Sequence, residues 1–115
     1  MRYVLIFLCL IGTYSFVFAA QGQEAIHGKM SVESAPLSDP VPNSPPVVFF
    51  TIEGNSAKTI FTRMVNPKIY KNACGESGVI MKELGDLICF KHKKNYTCNF
   101  GLGLSDGKSQ FGYTC

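Results

Sequence analysis

Leu87-Ile88-Cys89-Phe90-Lys91-His92-Lys93-Lys94-Asn95-Tyr96-Thr97-Cys98-Asn99-Phe100 is the stretch whose reading decides the fold. Apolar and aromatic residues flank a polar tip on both sides, the pattern of two antiparallel strands joined by a tight turn. Centring that turn on Lys93-Lys94 sets Cys89 opposite Cys98. Side chains alternate between faces along a strand, so Leu87, Cys89, Tyr96, Cys98 and Phe100 point the same way.

Beyond this hairpin, Asp106-Gly107 signals a second one, because both central positions of a type I′ turn need positive φ. Centred there, Leu102 faces Phe111, Phe100 faces Tyr113 and Cys98 faces Cys115. Leu102, Leu104, Phe111, Tyr113 and Cys115 then join the core face. Thr97, Asn99, Gly101, Gly103, Gln110, Gly112 and Thr114 form a solvated or backbone-exposing face. Gly101 and Gly112 oppose each other in this register, a bare patch that suits a partner's backbone or an aromatic ring such as Phe90.

Working upstream, residues 79–82 read as a strand joined to the decisive hairpin through Leu84-Gly85-Asp86, and residues 69–78 as an irregular loop holding Cys74. Val47-Val48-Phe49-Phe50-Thr51-Ile52, bounded by Pro46 and Gly54, is a continuous β-branched and aromatic run that suits a strand buried on both faces. Asn55 then reads as an N-cap. Ala57, Ile60, Phe61 and Met64 recur at i, i+3, i+4 and i+7, which predicts a short amphipathic helix stopped by Asn66-Pro67. The expected fold class is α+β: a small disulfide-stapled domain over residues 47–115, with a strand, one short helix, and an antiparallel β-meander covered by the helix on one face. Those 69 residues are few enough that disulfides are expected to supplement the core.

The N-terminal part reads differently. Met1-Arg2-Tyr3 precedes an apolar run over residues 4–20, the n-region and h-region of a secretory signal peptide. Cleavage after Ala19 places Val17 and Ala19 at the positions read by a signal peptidase, whereas cleavage after Ala20 would place bulky Phe18 there. A membrane anchor is the alternative reading, since the run sits at the lower limit for crossing a bilayer. With residues 1–19 removed as signal, no stable anchor remains. Residues 20–46 carry five of the six prolines among Ser, Gly, Glu and Asn, which predicts a disordered leader in which His27 is a solvated side chain.

Signal cleavage also removes Cys9, leaving Cys74, Cys89, Cys98 and Cys115, an even set that reads as two bridges in an oxidising compartment. Cys89 and Cys115 would lie two strands apart, beyond the Cα separation a disulfide tolerates. Two arrangements survive. The preferred one joins Cys89 to Cys98 and Cys74 to Cys115; the other joins Cys74 to Cys89 and Cys98 to Cys115. A zinc site is not expected, because the cysteines form no C-x-x-C knuckle.

Candidate chemistry is sparse. Lys91, His92, Lys93 and Lys94 concentrate positive charge at the hairpin tip and could bind an anionic partner, although lysines there also guard a sheet edge. Glu83 and Asp86 are the carboxylates that could pair with His92 as acid and base. Gly101-Leu102-Gly103 lies within a hairpin and lacks the strand-to-helix setting of a phosphate loop. Asn95-Tyr96-Thr97 is an N-glycosylation sequon, meaningful in a eukaryotic source. No cofactor is expected, and a net charge of +2 without Arg2 is too small to indicate nucleic acid.

The stretch Ala57-Lys58-Thr59-Ile60-Phe61-Thr62, followed by Gly85-Asp86-Leu87-Ile88-Cys89 and Tyr96-Thr97-Cys98-Asn99-Phe100, resembles small exported bacterial proteins of uncharacterised activity. In those, a short helix precedes a G-x-L-x-C, Y-x-C hairpin. The resemblance implies a periplasmic or secreted setting and the pairing of Cys89 with Cys98; Cys74 and Cys115 are additions to the pattern. The function expected from these features is non-enzymatic binding of a protein partner, as an inhibitor or adaptor. A small hydrolase or toxin using His92, and a cationic envelope-active protein built on the lysine tip, are the rival classes.

Overall fold

The computed structural model describes residues 23–33, 45–112 and 115. The element order is β1 (His27–Glu33), β2 (Val47–Glu53), α1 (Gly54–Arg63), β3 (Lys68–Lys71), a 3-10 turn (Ala73–Gly75), β4 (Val79–Leu84), β5 (Leu87–His92), β6 (Asn95–Gly103) and β7 (Ser109–Gln110). Among the described residues one α-helix thus accompanies a seven-stranded, wholly antiparallel sheet, ordered β1-β2-β6-β5-β4-β3 with β7 paired to β6. The described part of the chain is mostly β, compatible with a small α+β class. The expected signal peptide, residues 1–19, lies outside the described residues, as do parts of the leader.

β2 is held on both edges, by β1 and by β6, and its burial reflects this: Val47, Val48, Phe49 and Ile52 are all buried. At Glu53 the strand runs directly into α1, and Gly54 makes the corner with φ +68, a region closed to most side chains. The N-cap position is therefore Glu53, and Asn55 sits inside the first turn instead of capping it. Ala57 and Phe61 lie in one buried cluster with Ile52, Cys89 and Cys98, with Ile60 and Met64 packed at its margin. The helix stops where Met64 turns extended, and Lys82 Nζ donates to the Phe61 carbonyl at 2.8 Å, satisfying an otherwise open helix-end acceptor.

The β5–β6 hairpin sets His92 opposite Asn95 and Cys89 opposite Cys98, whose sulfurs are bonded at a Cα separation of 4.0 Å. The other bridge joins Cys74 to Cys115. Cys98 Sγ lies 3.6 Å from the Ala57 carbonyl oxygen, so α1 rests directly on the buried bridge.

Four further expectations are corrected. Part of the leader is ordered: His27–Glu33 forms β1, with His27 opposite Glu53. Residues 68–71 form β3 on β4 where an irregular loop was expected. The last hairpin pairs Leu102 with Ser109 and Gly101 with Gln110, two residues away from the expected register, so Gly101 does not face Gly112. Cys98 has Ile52 on one side and Cys89 on the other, which leaves no place opposite it for Cys115. Leu104 and Phe111 are exposed and do not join the core.

The fourth correction concerns the face away from α1, which is not solvated. Val47, Phe49, Val79 and Ile88 are buried there together with Asn99, Gly101 and Gly103. Asn99 meets its polar requirement across the ladder, its Oδ1 accepting from Thr51 Oγ at 2.9 Å. Gly101 is small for a reason: a Cβ there would lie 2.9 Å from Phe49 Cε1. Gly101→Val should therefore displace the Phe49 ring and cost about 1–3 kcal/mol, measured as a lowered urea midpoint at unchanged slope; a neutral result would mean the ring is not seated on that glycine.

Candidate functional site

The helix side of the sheet is only partly covered. Rows of side chains run across it at right angles to the strands, because directly paired residues share a face. One row, Ile52, Cys98, Cys89 and Lys82, lies beneath α1. The next row contains Phe50, which pairs with Phe100, and Leu87, which pairs with Leu84. It lies beside the helix. The Phe50 and Phe100 rings stack with centroids 4.9 Å apart and planes inclined by 21°.

Between this row and α1 opens an apolar groove of about 480 Å³, lined by Ile52, Ile60, Leu84, Leu87 and Phe100. Gly85, Asp86 and Ser109 complete its lining, and Ser109 Oγ donates to Asp86 Oδ2 at 2.7 Å. The left-handed Gly85 (φ +58) makes the tight β4–β5 turn that brings Leu84 and Leu87 side by side at the mouth. Apolar walls with a small polar rim are the usual make-up of a recognition site.

Sequence reasoning named the individual strand residues of this groove but not the groove. Phe50 and Phe100 meet only through the β2–β6 ladder, and nothing local in the chain announces that pairing.

The lysine-rich tip is divided by the alternation of the strand. Lys91 points to the helix side, with its ammonium 5.8 Å from the Tyr96 ring centroid, and Lys58 approaches the same ring at 6.0 Å. His92 points the other way and lines a cavity of about 230 Å³ with Glu76, Phe90, Thr97 and Asn99, beneath the loop of Cys74. Lys93 and Lys94 are exposed at the turn, as is Asn95 of the sequon. The four residues 91–94 therefore do not converge as one binding cluster.

Nor are the acid and base candidates brought together. His92 pairs with Val79, four residues along β4 from Glu83, a separation of about 13 Å at the rise of a strand. Asp86 lies in the turn at the opposite end of β5 from His92 and is engaged by Ser109. Among the described residues no group of three or more His, Cys, Asp and Glu side chains could hold a metal ion, and no helix is long and apolar enough to cross a membrane.

No protein-family model, curated protein or solved structure matches the chain.

On the helix side the cations have structural work. Lys82 Nζ lies 4.2 Å from the Phe61 ring centroid while bonding the Phe61 carbonyl, and Phe61 meets Tyr96 edge-on at 5.4 Å. Lys82→Met, which keeps the stem and removes the charge, should destabilise the protein by about 1–3 kcal/mol through the lost charged hydrogen bond and cation–π contact. Thermal melts at low and high salt check this: a loss that vanished at high salt would mark the contact as a screened surface interaction.

Proposed function

We propose that this chain is a non-enzymatic binding module, an inhibitor or adaptor acting in the periplasm or outside the cell, which holds an apolar segment of a protein partner in the groove beside α1. The observation that carries the reading is the groove itself: Phe100, Leu87, Leu84 and Ile60 lie half-buried or exposed around a concave surface on a stapled sheet. The Cys89–Cys98 bridge one row away fixes the β5–β6 spacing, so the site is formed before a partner arrives and little ordering opposes binding.

The setting is supported by two intramolecular disulfides, which persist in oxidising compartments, and by the signal-like character of residues 1–19. Intact mass of the exported protein tests this part: loss of residues 1–19 and of four thiol hydrogens is expected, and retained leader residues or free thiols would contradict it.

The groove is tested by capture from envelope and culture fractions with the oxidised protein as bait. Leu84 is 43% exposed, so Leu84→Glu should leave the fold intact, as circular dichroism will show. It should weaken binding of a stoichiometric partner by about tenfold or more. Equal capture of the same partner by both proteins would place recognition elsewhere.

A further inference from the structure

Among the described residues β1 is the outer strand of the sheet, with no further strand on its far edge, and that edge carries a particular combination of properties. It pairs with β2 without interruption over seven residues, so no bulge disrupts it, and it contains no proline. Natural edge strands are commonly protected by one or the other, or by charge, and here the charges, Lys29 and Glu33, are of opposite sign and can pair instead of repelling a second copy. Ile26, just before the strand, and Met30 and Val32 within it are 71%, 68% and 57% exposed, a run of apolar side chains on the side of the sheet that bears α1. Lys29, Ser31 and Glu33 occupy the other side, with the two charges opposite in sign and flanking the serine.

This sequence is complementary to itself when reversed. Setting Ser31 opposite Ser31 of a second copy places Lys29 opposite Glu33 and Met30 opposite Val32, and the two-fold axis repeats each pair. Neighbouring registers lose the match. Centring on Met30 sets Lys29 against Ser31 and Gly28 against Val32, whereas centring on Val32 sets Ser31 against Glu33 and leaves Lys29 and Met30 without a partner in the strand. One register alone joins apolar to apolar and cation to anion.

We infer that β1 is a homodimerisation edge: two copies of the chain pair antiparallel through β1 about Ser31, joining their sheets into one. The inference rests on the outer edge of β1 and not on the groove, whose walls are α1, β2, β6 and the β4–β5 turn. Five residues from each chain make a small interface, so the dimer is weak and its population follows concentration.

Sedimentation equilibrium over a concentration series tests it with the full exported, oxidised protein. Lys29→Glu should weaken association by about tenfold or more by setting acid against acid, and adding Glu33→Lys should restore it. Met30→Lys should weaken it likewise. Lys29 and Met30 are exposed and Glu33 is half-buried at the end of the strand, so circular dichroism and melting should be unchanged. Ser31→Cys should form an interchain disulfide in oxidising buffer, because the dyad brings the residue against its own copy. A monomer at every concentration would overturn the proposal. So would a dimer indifferent to charge reversal, or cross-linking of Lys29→Cys in one chain to Thr51→Cys in another, which would indicate exchange of β1 between chains.

Discussion

The ladder between β2 and β6 is the constraint on which the rest of this molecule depends. It pairs Val47 with Gly103 and Glu53 with Thr97, so every rung joins residues more than forty positions apart. Such contacts carry a loop-closure cost that local hairpins avoid. Once formed, the ladder sets Phe50 on Phe100, Ile52 beside Cys98 and Thr51 against Asn99. The aromatic stack, the floor under α1 and the buried polar pair of the opposite face are all consequences of one register. A slip of one residue would move each of them to the wrong side of the sheet.

Local sequence carried a good deal of this architecture. The β5–β6 register follows from residues 87–100 alone, and α1 follows from the spacing of Ala57, Ile60, Phe61 and Met64, because each depends on neighbours within a turn or two. β1 and β3 escaped for different reasons: β3 is four exposed residues with no apolar alternation, whereas β1 alternates through Ile26, Met30 and Val32 but falls in a proline-rich segment whose composition reads as disordered. Backbone pairing holds them, and backbone pairing leaves no mark on composition.

The final hairpin shows how tertiary context overrides a good local signal. Gly107 does adopt positive φ, but β2 extends the partnership of β6 further than the turn signal allows for, with the Leu104 amide donating to the Pro46 carbonyl at 2.9 Å. The Asp106 carboxylate then accepts from the Lys108 amide, and the Gly103 amide donates to the Lys108 carbonyl, which widens the turn and shifts its register. The groove was illegible for the related reason that its walls come from elements joined only by long-range pairing. The tip Lys91 to Lys94 was conspicuous in sequence because charge is easily counted, yet alternation sends its side chains to opposite faces.

The two bridges differ in what surrounds them. Cys89 and Cys98 are fully buried beneath Ala57, whereas Cys74 and Cys115 are both exposed. A thiolate attacking the inner pair must wait for α1 to lift, while the outer pair is open to collision at any moment. Reductants will therefore cut the outer staple first and leave a singly bridged species. The survival time of the inner staple then serves as a clock for how often the helix leaves its seat.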